Sequence, residues 1–163
     1  MIRRVTGDDW QLLRSLRLTA LAESPGSFGS TLAEEERYDE SAWRTWPGAA
    51  AVFAAEVAGE AVGLAVGVGT AEPDERRLIS LWVDPRFRRH GAGAALVSHV
   101  GRWAAGEGAS RLSLWVSRTN LPARELYLSH GFTLEGTPRP LPSDPDLLED
   151  RLVRVLVSGE RET

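Results

Sequence analysis

Six consecutive residues, Arg88, Arg89, His90, Gly91, Ala92 and Gly93, stand between a strand-like run that stops at Asp84 and Pro85 and an apolar pattern of helical period. The chemistry available at such a junction is electrostatic. Glycine lets the backbone come close to a ligand, the first-turn N–H groups of a helix have no partners, and the helix dipole adds partial positive charge. Two adjacent guanidinium groups reach phosphate oxygens that the backbone leaves uncovered. The pattern describes an anion-binding loop, and taken alone it also fits a helix start with a solvated basic cap. A dinucleotide fingerprint matches less well. Leu96 rather than a glycine stands three positions after Gly93, and the next strand, residues 112–116, ends without the acidic residue that a ribose needs. His90, His99 and His130 show no metal-ligand spacing, so no metal is expected.

Missing residue types exclude further chemistries. All 19 basic residues are arginine, which rules out a lysine Schiff base and the lysine-dependent phosphate loop of the common nucleotide hydrolases. With no cysteine, the chain has no thiol nucleophile, no protein-borne thioester, no cysteine metal site and no disulfide.

The elements that position the loop follow from period and caps. Thr6 and Asp9 have capping-box spacing, and Leu13, Leu16, Ala20 and Leu21 then recur as one helical face. Pro25 and Gly26 break that helix, and residues 31–46 form a weaker helical region ahead of Pro47 and Gly48. Residues 51–57 and 61–68 are apolar runs around Ala58, Gly59 and Glu60, which suits a hairpin. A strand over residues 78–83 precedes the loop. After it, Leu96, Val97, Val100, Trp103 and Ala104 share a helical face that ends at Gly106 and Gly108. Residues 112–116 form the next strand. Asn120 caps a helix with Pro122 in its first turn, Ala123, Leu126 and Tyr127 on its inner face and Gly131 just past its end. Residues 132–134 and 152–157 are the last strands, joined by a proline-rich connection over residues 136–150.

A chain of 163 residues, 42% hydrophobic and 26% charged, buries about 70% of its unfolded surface as one domain. That domain is expected over residues 1–157, of mixed α/β class, followed by a frayed tail over residues 158–163. The net charge of -4 argues against nucleic-acid binding by charge alone. No signal-like or membrane-length apolar run occurs at either end, so the expected place is the cytoplasm, with no membrane partner.

Two motifs carry a family resemblance. Leu81, Trp82, Val83, Asp84, Pro85 and then Arg88 to Gly93 resemble the acetyl-CoA-binding motif of the GNAT superfamily of N-acetyltransferases: Arg or Gln, two residues, Gly, one residue, then Gly or Ala. Asn120, Ala123, Leu126, Tyr127, Gly131 and Phe132 are similar to that family's second motif, and the element order fits from Ile2 to about Val157. The resemblance implies a mixed, mostly antiparallel sheet of about six or seven strands flanked by about four helices, with the fourth and fifth strands splayed. It also implies acetyl-CoA as cosubstrate. Leu81, Trp82 and Val83 would hold pantetheine, and Arg88, Arg89, His90, Gly91, Ala92, Gly93 and Ala94 the pyrophosphate. Asn120, Ala123 and Tyr127 would stand near the reactive end, Asn120 and Tyr127 as catalytic residues and Tyr127 as general acid.

Acetyl transfer to a primary amine needs a neutral nucleophile, a donor for the developing oxyanion and a proton for the departing thiolate. A phenol suits the last need. Without cysteine, transfer is expected by direct attack in a ternary complex. Many relatives keep a glutamate on the fourth strand, but residues 77–83 hold no carboxylate. The base is therefore left between Glu34, Glu35, Glu36, Glu72, Asp74 and Glu75 from loops, or water. A non-catalytic CoA-binding module of the same fold is the alternative function. Phe28 and Glu34 are candidate acceptor-side residues, and the acidic stretch over residues 34–40 favours a cationic amine, either small or on a protein or peptide. A homodimer is compatible with all of this.

Overall fold

Alternation on the second strand divides the molecule into two cores. The computed structural model describes residues 1–28, 30–142 and 144–157, so the expected tail lies outside the described residues. Strand β1 (Ile2–Arg4) pairs antiparallel with β2 (Ala51–Val57), which forms a hairpin with β3 (Glu60–Gly69). The turn consists of Ala58 and Gly59, both with left-handed backbone, the combination that matches the twist of two-residue hairpins. Ala51, Phe53 and Ala55 face one core, whereas Val52 and Ala54 face the other. Burial on both faces explains why these strands read as nearly unbroken apolar runs.

Helices cover the two faces. On one side lie α1 (Trp10–Glu23), α2 (Leu32–Glu35) and α3 (Glu40–Ala49), with Leu13, Leu16, Leu21 and Trp43 packed against Val52, Leu64 and Val66. The weak helical region expected over residues 31–46 is thus two helices, and Asp39 caps the second by accepting from Ala42 N–H at 2.8 Å. On the other side, α4 (Ala92–Gly106) and α5 (Leu121–Ser129) contribute Leu96, Val97, Val100 and Tyr127 to the core. No helix among the described residues is long and apolar enough to cross a membrane.

The remaining strands build the half of the sheet that carries the site. β4 (Glu75–Val83) runs antiparallel to β3 and parallel to β5 (Arg111–Ser117), and β5 pairs with β8 (Asp144–Val155). Short strands β6 (Thr133–Leu134) and β7 (Arg139–Leu141) both pair with β8. The result is an eight-stranded, mostly antiparallel sheet with one parallel pair, the mixed architecture that the resemblance implies.

Two boundaries differ from the sequence-based expectation for the same physical reason. β4 begins at Glu75, not at residue 78, and β8 begins at Asp144 inside what reads as a proline-rich connection. In both places charged residues hide the strand alternation, and Glu75 of β4 and Asp150 of β8 are buried because arginines neutralise them. Glu75 accepts from Arg151 at 2.6 Å and from Ser113 at 2.9 Å. Asp150 accepts from Arg118 at 3.2 Å and Arg124 at 2.6 Å.

Candidate active site

β4 and β5 part after three residue pairs. Their ladder joins Glu75, Arg76 and Arg77 to Arg111, Leu112 and Ser113, and no pairing follows up to Val83 and Ser117. A bulge adds to the divergence: Ser80 has a φ of 56°, and the β3–β4 register slips between Leu64 and Val66. A cleft of about 920 Å³ occupies the gap. Phe28, Leu81, Asn120, Ala123 and Tyr127, brought from three separate parts of the chain, all line it.

Tyr127 is 7% exposed, and its ring meets Phe132 edge-on at 5.7 Å between centroids. Burial pushes its phenol pKa up, so the hydroxyl is protonated at neutral pH. The hydroxyl has no protein hydrogen-bond partner among the described residues, nor is it sealed from the cleft. Asn120 caps α5, its side-chain oxygen accepting from Ala123 N–H at 3.4 Å, which leaves its amide N–H groups uncommitted.

Beyond the mouth of the cleft, residues 88–94 form the turn from β4 into α4. Their backbone N–H groups meet no protein acceptor among the described residues, and the first bond of the helix runs from Ala95 N–H to Gly91 O at 3.0 Å. Arg89 and Gly91 both have left-handed backbone, at φ 67° and 86°. Turns of this kind line successive N–H groups into anion-sized concavities. The two glycines differ in purpose. Gly91 provides the left-handed cap, whereas a Cβ on Gly93 would stand 3.2 Å from Leu126, so Gly93 allows α4 to approach α5. Arg89 and His90 are exposed. Arg88 is turned away from the loop: its guanidinium donates to Val83 O at 2.8 Å and to Glu23 at 3.0 Å. Hydrogen bonds from Ser24 and Trp82, with Arg88 close by, hold the Glu23 carboxyl below its usual pKa. Trp82 packs its ring against the α1 core, its indole N–H on Glu23 at 2.8 Å.

Phe28 lines the cleft, but the acidic residues expected beside it stand elsewhere. None of the six carboxylates considered as base lines the cleft. Glu34 is exposed and does not line the cleft itself, although it accepts at 3.1 Å from Ser30, which does. Glu35 is buried in a bidentate pair with Arg17, at 2.8 and 2.9 Å, and Glu75 is no loop residue but sits in β4 under Arg151. The carboxylates that do line the cleft are Asp144 and Glu149 of β8, hidden from sequence reasoning because that stretch reads as a connection. Arg139 holds Glu149 at 2.5 Å. Arg17, Arg77 and Arg139 line the same walls.

The acetyltransferase family described as GNAT matches residues 16–132, and the chain belongs to that family. An uncharacterized N-acetyltransferase from Archaeoglobus fulgidus is 37% identical over 83 residues, a match spanning 48% of this chain and 56% of the relative. Among solved structures, YncA from Salmonella typhimurium with its cofactor acetyl-CoA superposes at a TM-score of 0.78 and 18% identity, covering 96% of this chain and 94% of that one. A ribosomal-protein-alanine N-acetyltransferase from Brucella melitensis reaches 0.75 at 21% identity, covering 96% and 99%. At these identities the likeness is one of fold.

Proposed function

We propose that the chain is an acetyl-CoA-dependent N-acetyltransferase that acts on a primary amine by direct attack in a ternary complex. The observation that carries this reading is the short parallel ladder of β4 and β5, which opens onto unpartnered N–H groups at α4 and an unpartnered Tyr127 hydroxyl. Acetyl-CoA fits this frame. The β4 edge at Leu81, Trp82 and Val83, which β5 leaves unpaired and where Arg88 meets Val83 O, can take the amides of pantetheine, and the N–H groups of residues 88–94 its pyrophosphate. When bound, it supplies an activated acetyl thioester.

The residues then divide the work. The cleft holds the amine against the thioester carbonyl, a C–N bond forms, and the C–S bond breaks. Tyr127 donates its proton to the departing sulfur, and the amide group of Asn120 orients the same end. The proton lost by the amine leaves through the open cleft to water, past the exposed Asp144, while Glu149 is committed to Arg139. Neighbours of similar fold bear names that point to different acceptors, a ribosomal-protein alanine in Brucella melitensis and nourseothricin in another structure, so fold alone leaves the acceptor open.

The test is release of CoA thiol across a panel of primary amines, with acetyl-CoA binding measured in parallel. Saturable, amine-dependent release is expected. Binding with no release for any amine would replace this reading by a non-catalytic CoA-binding module.

A further inference from the structure

We infer that the acceptor amine carries a carboxylate or a similarly compact oxyanion, and that Arg77 of β4, aided by Trp115 of β5, receives it. This rests on the acetyltransferase reading and names the substrate class of that same cleft. Leu112, Leu114 and Val116 of β5 face the α4 core, so Ser113 and Trp115 face the opposite side of the sheet, together with Glu75, Glu149 and Arg151. Guanidinium groups on that face are matched to carboxylates with one exception. Arg151 is bound to Glu75, Arg111 to Glu135 and Arg139 to Glu149. Arg77 makes no ion pair and no side-chain hydrogen bond among the described residues.

Its Nε–H is buried without an acceptor, the residue lines the cleft, and its terminal nitrogens make no hydrogen bond among the described residues. Burial lowers its pKa and Glu75 offsets part of that effect, while Arg151 and Arg139 add to the excess of positive charge. On the neighbouring strand the indole N–H of Trp115, whose ring lies 3.9 Å under Arg139, is likewise buried without an acceptor. An unsatisfied buried donor is costly, the more so when charged. Two such donors on adjacent strands of one cleft, at the point where the ladder opens, describe a receptor for oxygen acceptors with negative charge. A carboxylate matches the planar fork of a guanidinium. The register also fits, because Arg77 is three residues before the Ser80 bulge, roughly 10 Å along the strand. Arg77, Leu81 and Tyr127 line the same cleft, so an amino acid or an acidic side chain lying along it can place its amine towards Leu81 and Tyr127 while its carboxylate meets Arg77.

The experiment uses matched pairs of small primary amines, each as the free carboxylate and as its amide, with acetyl-CoA affinity and Tm followed throughout. The wild-type protein is expected to favour the carboxylate member about 10- to 100-fold in kcat/KM, the range of a charge-assisted hydrogen bond. Arg77→Gln should collapse that ratio towards unity through KM for the carboxylates, and Arg77→Lys should restore part of it. Amines acetylated with no preference for the carboxylate, or with the amide preferred, overturn the inference and leave the acetyltransferase reading standing. Should neither series be acetylated although acetyl-CoA binds, the acetyltransferase reading falls and the inference falls with it. The wild-type ratio decides the matter even if Arg77→Gln fails to fold.

Discussion

Tyr127 combines a buried ring with an unpaired hydroxyl, and the two properties can be separated by one atom. Its ring packs on Phe132 and within the α4 core, which the phenylalanine ring would preserve. No hydrogen bond to a described residue is lost with the hydroxyl. Tyr127→Phe is therefore expected to change stability by less than about 0.5 kcal/mol and to leave acetyl-CoA affinity intact. Turnover should fall about 10²-fold, the usual worth of a positioned general acid. Single-turnover kinetics with an accepted amine check this, and unchanged chemistry would mean that water protonates the thiolate.

The ion pairs between strands decide how the splayed half of the sheet is held. Glu75 and Arg151 bridge β4 and β8 beneath Ser113, at the closed end of the cleft. Burial alone would raise the pKa of Glu75, but the hydrogen bonds from Arg151 and Ser113 bring it below the usual carboxylate value. Because the folded-state pKa is the lower one, this stabilisation is present above about pH 4.3 and is lost as pH falls through the folded-state value. Removing one partner leaves a buried charge unpaired. Arg151→Met is expected to cost about 3 kcal/mol at pH 7. Glu75→Gln should lose less of its remaining stability than the wild type on acidification. Urea midpoints between pH 3 and pH 7 for the three proteins test both statements, and parallel pH curves for wild type and Glu75→Gln would refute the second.

For the molecule as a whole, a ligand that binds only the folded state stabilises it by mass action. At 100 times its Kd, acetyl-CoA should add about 2.7 kcal/mol, a rise in Tm of roughly 5–10 °C for a chain of this size. Gly91→Ala places a side chain at φ 86° and should lower the ligand-free Tm by the equivalent of about 1–2 kcal/mol. It should also shrink the ligand-induced rise, since the same turn aims the N–H groups of residues 88–94. A full acetyl-CoA shift in this variant would separate the loop from the cofactor.

Local signals were legible in the sequence because each depends on a few neighbouring residues. Glycine and proline positions marked the loop before α4, the Asn120 cap and the Ala58–Gly59 turn, and apolar period marked the helices behind them. The absence of lysine and cysteine excluded whole reaction classes from composition alone. The charge of the cleft was not legible. Glu35 reads as a solvated acid until α1 and α2 pack and Arg17, 18 residues away, neutralises it; Glu75 reads as a loop acid until Arg151, 76 residues away, buries it in β4. A charged strand such as β8 carries no apolar alternation, so Glu149 and Asp144 became cleft residues only through pairing with β5 and β7. Periodicity and caps are properties of short segments, whereas the sign of a charge that a ligand meets depends on which distant partner has already cancelled it.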